Sequence, residues 1–282
     1  DPTAQTGVWQ SYIKVGGTSF YQPLRIETIK PNRLKVRLET DSIFDAARNS
    51  FTGTLTAQWL HGAPASNLKA EVSLSLSKSE LPFKSYESYE FNNPLSKFET
   101  NRHKLFEGNL NASGVAGVTR KVPRAENAPG MLRGNILSRV YESGGDMSFY
   151  SQTIYYSPYS SYVGVKAPAA TRGEFLETDK PLAFDVISLT PNGKKVSRTD
   201  LSYKVYKLNW SWWWNSSDED LSSYINSTSV SPVAQGSLST TNGSGKVNFE
   251  VNYPDWGRYL ILVKDNHSGH STVSMFYVEW PE

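Results

Sequence analysis

The stretch Val72-Ser73-Leu74-Ser75-Leu76-Ser77 alternates apolar and hydroxyl side chains without a break. Successive side chains of an extended strand point to opposite faces, so this run has one oily face and one wet face. The same period recurs along the chain. Leu34, Val36 and Leu38 alternate with Lys35 and Arg37; Leu55, Ala57 and Trp59 with Thr56 and Gln58; Val247, Phe249 and Val251 with Asn248 and Glu250. Turn residues separate the runs: Gly16-Gly17, His61-Gly62, Ser113-Gly114, Gly144-Gly145, Pro191-Asn192-Gly193, Asn242-Gly243 and Ser268-Gly269. Short half-buried strands punctuated in this way predict an all-β chain of tandem antiparallel β-sandwiches. No window shows a helical stripe beyond a two-turn segment at Asp218 to Ile225, where Asp218, Glu219 and Asp220 suit a helix N-terminus.

Composition narrows the function. The 282 residues carry 29 Lys and Arg against 27 Asp and Glu, a net charge of +2, which argues against a nucleic-acid partner held by a strong positive field. With 12 Phe, 16 Tyr and 8 Trp the chain can fill real cores, so wholesale disorder is excluded. No apolar run approaches the ~18 residues a transmembrane helix needs, so this segment is expected to make no membrane contact. Cysteine is absent, which removes disulfides, thiolate metal sites and cysteine nucleophiles. The opening Asp1-Pro2-Thr3-Ala4-Gln5 reads as a cut through a longer precursor.

One pattern occurs twice. Gly7-Val8-Trp9 leads a strand into Gly16-Gly17 and then an apolar run to Ile29; Asp255-Trp256-Gly257 leads Arg258 to Lys264 into a turn and the run Thr272 to Trp280. Both are taken as the closing hairpin of a sandwich. Residues 1–30 then finish a preceding domain, 31–157 form a complete sandwich and 158–282 a second. The joints are Lys30-Pro31-Asn32 and Tyr156-Ser157-Pro158-Tyr159, where proline fixes its own φ and restricts its neighbour. Removing Pro31 or Pro158 is expected to loosen the interdomain angle.

Leu24 to Leu34 (LRIETIKPNRL), Trp59-Leu60-His61-Gly62-Ala63-Pro64-Ala65, Ala128-Pro129-Gly130-Met131-Leu132, Tyr156-Ser157-Pro158-Tyr159, Trp212-Trp213-Trp214 and Asp255-Trp256-Gly257-Arg258-Tyr259 resemble segments of the bacterial α2-macroglobulins, Bacteroidetes branch. The resemblance implies macroglobulin-like sandwiches, the end of the fourth (1–30), the fifth (31–157) and the sixth (158–282). It implies a non-enzymatic structural segment of a protease trap, whose partners are the other macroglobulin-like domains of the parent chain and, through the parent, target proteases. The parent is expected in the periplasm or cell envelope, exported and either free or lipid-anchored. In that family a cleaved bait region and a cysteine-based thioester do the trapping. This chain has no cysteine, and the bait is expected beyond Trp280-Pro281-Glu282. Interdomain and structural roles fall by the same resemblance on Pro31, Asn32, Trp59, His61, Tyr156, Pro158, Tyr159, Trp212, Trp213, Trp214 and Trp256.

The residues themselves admit other readings. Asp265, His267 and His270 offer zinc-compatible donors, yet Gly269 and turn chemistry explain the segment as an exposed hairpin loop. His61 sits in a turn with no paired nucleophile. Trp210, Trp212 and Trp214 would share one face of an extended strand, which suits either an aromatic sugar platform in a glycan-binding or adhesion module, or a core-and-interface girdle; the girdle is preferred. Lys69, Lys78 and Lys84 are scattered, and Arg120, Lys121 and Arg124 read as a solvated knot. Asn-x-Ser/Thr triplets at Asn111, Asn209, Asn215 and Asn226 fit chance in a chain rich in Ser and Asn. No P-loop, nucleophile elbow or zinc-protease motif occurs, and neither catalytic residues, a metal nor a cofactor is implied.

Overall fold

The computed structural model describes residues 7–16, 18–26, 32–45, 50–80, 82–170, 175–208 and 231–280. The architecture is all β. β1 (Gly7–Val15) and β2 (Thr18–Ile26) form an antiparallel hairpin. β3 (Leu34–Glu39), β5 (Ser50–Trp59) and β8 (Val115–Lys121) form a three-stranded sheet. It faces a five-stranded sheet in the order β4 (Ile43–Asp45), β10 (Met147–Ser157), β9 (Leu132–Tyr141), β6 (Lys69–Lys78), β7 (Asn101–Asn109).

The second half repeats this plan strand for strand. β11 (Tyr162–Lys166), β13 (Pro181–Leu189) and β16 (Ser244–Glu250) make the small sheet. β12 (Leu176–Glu177), β18 (Ser271–Glu279), β17 (Gly257–Asp265), β14 (Arg198–Leu208) and β15 (Ala234–Thr240) make the large one. Even the single parallel pairing is shared, β4 with β10 and β12 with β18. In both sandwiches a long connection joins two neighbouring strands of the large sheet, β6 to β7 over 79–100 and β14 to β15 over 209–233. The tryptophan run Trp210 to Trp214 and the short helix expected at 218–225 belong to the second connection and lie outside the described residues. So does Pro31. Among the described residues no helix is long and apolar enough to cross a membrane.

Period-2 patterning builds both cores. Leu34, Val36 and Leu38 point inward while Lys35, Arg37 and Glu39 stay wet. They meet Val72, Leu74 and Leu76, all fully buried, across the gap between sheets. Val163, Val165, Phe184, Val205, Ile261 and Val278 do the same in the second sandwich. Turn glycines carry positive φ where the hairpins demand it. Gly114 has φ +74°, and a Cβ there would stand 2.4 Å from the Ala57 carbonyl oxygen, so no other residue fits without moving the sheet.

Tyr156 closes the first core from its edge. Its ring lies 5.2 Å from that of Phe44. Its hydroxyl donates to the Pro123 carbonyl at 3.0 Å and accepts from the Ala125 N–H at 3.1 Å. Burial pushes the phenol's pKa up, so it stays protonated and keeps both bonds. Tyr156→Phe keeps the ring and strands both backbone groups. We expect a loss of about 1–3 kcal/mol in chemical denaturation, with an unchanged denaturant slope.

Candidate functional site: the junction between the two sandwiches

Ser161, Arg198, Asp265 and His270 come together where the sandwiches meet. The long connection over 79–100 leaves the first sandwich and runs as a strap along the seam between β11 and β18. Glu90 exchanges two backbone hydrogen bonds with Val165 of β11, at 2.8 and 3.0 Å. On the other side the Val273 N–H donates to the Asn92 carbonyl at 3.1 Å. Thr272 Oγ1 donates to the Glu90 carbonyl at 2.8 Å, and Asn93 Nδ2 to Ser271 Oγ at 2.8 Å. The strap therefore works as a short extra strand between the two sheets of its neighbour.

An aromatic cluster seals the contact. Phe83, Phe91, Met131, Tyr162, Ile187 and Leu189 are buried together, with Tyr86, Tyr89, Tyr155 and Tyr159 against them. Phe91 lies over Gly164, where a Cβ would meet its ring at 2.5 and 2.6 Å. A glycine inside a strand often marks such a close approach. Leu95 continues the apolar contact onto Tyr206, Leu208, Leu260 and Val273.

His270 sits at the centre and is fully buried. Its Nδ1 accepts the Val163 N–H at 3.0 Å. The proton is thereby assigned to Nε2, which donates to the Phe91 carbonyl at 3.0 Å. Tyr159 and Tyr162 flank the ring, with centroids at 5.1 and 4.8 Å. Burial lowers the imidazole pKa from 6.5 to about 4, against smaller upward pulls from the Phe91 bond and the Asp265 charge. The sign follows by linkage. Between pH 6.5 and about 4 the unfolded chain binds a proton that the folded chain refuses, so stability declines across that window as pH falls. The span corresponds to roughly 3 kcal/mol.

Asp265 organises the turn beneath. It is fully buried, and its Oδ1 accepts from the His267 and Ser268 N–H groups at 2.9 and 3.2 Å. Its Oδ2 accepts from Ser161 Oγ at 2.6 Å and lies 3.4 Å from Arg198 Nε. Burial alone would raise this carboxyl's pKa; the hydrogen bonds from Ser161, Ser268 and His267 outweigh it and hold the group below its ordinary range.

Serine, histidine and aspartate thus meet here, yet not as a nucleophile and its base. Ser161 Oγ donates to the carboxylate and accepts from Arg198 Nε at 3.0 Å. The imidazole has both nitrogens committed to backbone groups. A general base needs a free lone pair within reach of the nucleophile's proton, and this ring offers none. Among the described residues no three His, Asp or Glu side chains gather as a metal-ion site.

The structure corrects one expectation. The turn from Asp265 to His270 is not an exposed hairpin loop: Asp265, Ser268 and His270 are buried and only Asn266, His267 and Gly269 face solvent. The reason is a segment 179 residues away in sequence that covers it. Local turn chemistry holds no record of such a cover. Two signals do: Gly164 inside the apolar run Tyr162 to Val165, and the density of Phe83, Tyr86, Tyr89 and Phe91 in what otherwise reads as a surface loop.

The other singled-out residues divide by place. Tyr159 and Pro158 belong to the junction: the Tyr159 hydroxyl donates to the Ala128 carbonyl at 2.6 Å, Arg124 stands over its ring at 5.4 Å, and Pro158 is buried. Asn32, Trp59 and His61 mark the opposite end of the first sandwich. Asn32 pairs with both backbone groups of Phe149, at 2.9 and 3.2 Å. Trp59 carries the Arg33 guanidinium at 5.5 Å on its ring and is stacked by His61 at 6.2 Å. Trp256 lies at the far end of the second sandwich, 42% exposed and edge-on to Trp280. Trp212, Trp213, Trp214 and Pro31 are outside the described residues.

The connector therefore has two restraints, its proline and the strap. The strap changes what the sequence leads one to expect of Pro158: rather than loosening the interdomain angle, Pro158→Gly should leave the small-angle scattering profile of the chain unchanged, because the strap still spans the junction. Gly164→Ala drives a methyl into the rigid Phe91 ring and should unseat the strap. Its scattering radius should grow while the circular dichroism of both sandwiches persists.

Two family models match the chain. That of the bacterial alpha-2-macroglobulin MG5 domain matches residues 32–147, and that of bacterial macroglobulin domain 6 matches residues 164–280. No curated protein matches it in sequence. Among solved structures, the native conformation of Escherichia coli alpha-2-macroglobulin superposes with a TM-score of 0.63 at 17% identity, over 100% of this chain and 18% of that one. The trypsin-activated Escherichia coli protein gives 0.63 at 16% identity, over 99% and 19%. Salmonella alpha-2-macroglobulin reacted with methylamine gives 0.58 at 19% identity, over 99% and 19%. The chain thus spans under a fifth of the length of these structures.

Proposed function

The chain belongs to the bacterial alpha-2-macroglobulin family, and we propose that it is a non-enzymatic scaffold segment of a protease trap. Its work is to hold neighbouring macroglobulin-like domains of the parent chain at fixed angles, so that bait and thioester regions outside this segment are correctly placed. The observation that carries this reading is the strap. A segment of one sandwich is built into the seam of the next, with backbone bonds from Glu90 and Asn92 and the buried Phe91 ring. Loosely tethered domains turn freely about their linker unless a large apolar contact holds them; this pair has one. The chemistry at the junction supports the same reading, since its Ser, His and Asp side chains are all consumed in structural bonds.

Residues 1–30 are read as the closing hairpin of a preceding domain. In the described residues β1 and β2 pack chiefly on each other. A lone two-stranded hairpin is marginal in water, so it needs further strands to complete it. We propose the periplasm or cell envelope as the parent's location, as the family resemblance of the sequence implies.

The trap reading is tested on the parent protein. After incubation with an endopeptidase of broad specificity, cleavage of a large protein substrate should fall while cleavage of a small peptide substrate continues. The Gly164→Ala parent should be cut by the protease yet protect the large substrate several-fold less well. The 282-residue chain alone should protect nothing. A parent that leaves digestion of the large substrate unchanged sinks the reading.

A further inference from the structure

The two ring nitrogens of His270 bind different parts of the junction. Nδ1 holds β11 through Val163, and Nε2 holds the strap through Phe91. Both bonds require the neutral ring in a single tautomer. A second proton would have to go onto Nδ1, which points at the Val163 N–H. Two donors would then face each other in a dry space, and one must move. β11 cannot yield easily, since it is paired with β13 from Tyr162 to Lys166. The strap is the weaker side. It is held by the bridge between Glu90 and Val165, the Val273 N–H bond to the Asn92 carbonyl, a few side-chain bonds and the seat of the Phe91 ring, against five paired residues for β11.

We propose that His270 is an acid-release pin: protonation of its Nδ1 breaks the bond to Val163, turns the ring and frees the strap from the second sandwich, while both sandwiches stay folded. The inference concerns the junction alone and holds whether or not the parent traps proteases.

The surroundings of the ring fit a release device. On its own turn, Asp265 is the nearby carboxylate, but its oxygens are taken by Ser161, His267, Ser268 and the Arg198 guanidinium from β14. It attracts an imidazolium without hydrogen-bonding it. His267 is exposed. From the connector come Tyr159 and Tyr162, both held neutral by burial. From the strap come Tyr89, with Lys166 of β11 near its ring at 5.9 Å, and Glu90, whose backbone rather than carboxylate makes the contacts. Among these groups none supplies a hydrogen-bond acceptor for a proton on Nδ1. The lowered imidazole pKa agrees with that geometry.

Hydrogen–deuterium exchange of the full chain between pH 6.5 and 3.5, corrected for intrinsic exchange, tests the proposal. Peptides covering 83–95 and 162–166 should gain exchange at least tenfold, with a midpoint between pH 4 and 5. Peptides from β6 and β17 should stay protected across that step. In His270→Gln, where the amide can accept and donate without titrating, the step should vanish. Nitrogen-15 shifts of the His270 ring in the unsubstituted protein should show Nδ1 unprotonated until the same pH, a reading that needs no variant to fold. The proposal is overturned if strap and core strands open together, if the step survives in His270→Gln, or if the ring titrates near 6.5.

Discussion

The Phe91 carbonyl leaves its own sandwich and ends on an imidazole that belongs to the next. A backbone group that enters a dry interface must find a partner there, or its burial is unfavourable by more than the apolar contact around it returns. This requirement explains the composition of the junction. Glu90, Phe91 and Asn92 each bring main-chain groups into the seam, and each is met, by Val165, His270 and Val273 in turn. Histidine suits the middle position. It must accept from one side and donate to the other across a ring, and it must do so without charge.

The two sandwiches are built on one plan, yet they use it differently. Strand order, sheet partition and the single parallel pairing repeat from β3–β10 to β11–β18. A repeated plan gives repeated edges, and an edge left open invites pairing. The strap answers that problem at one place by lying along β11. The connector is held by more than its proline. Ser157 Oγ bonds the Tyr159 carbonyl and the Tyr162 hydroxyl at 2.9 and 2.8 Å, so the turn is already braced by its own side chains.

What the sequence made legible was local. Leu34, Val36 and Leu38, or Val72, Leu74 and Leu76, declare their facing within a few residues, because a strand repeats every second position. A family resemblance singles out Tyr156 and Tyr159; Tyr156 packs in the first core and Tyr159 against the junction cluster. The junction itself was hidden. Its bonds cross 107 residues from Val163 to His270 and 179 from Phe91 to His270, and no periodicity reaches that far. Turn chemistry correctly marked Gly269, whose φ is +81°. It could not say that the turn would be roofed by another domain's loop.

The seating of the strap has a practical consequence for how this chain may be divided. The boundary that topology draws, between Ser157 and Tyr162, is not a boundary of solvation. A fragment ending at Ser157 would carry Phe83, Phe91 and Leu95 into water with nothing to receive them, and one starting after it would open the aromatic floor around Tyr162 and Ile187. Sticky faces of that kind drive self-association. The smallest well-behaved unit is the pair, and insertions, fusions or swaps between relatives should respect it.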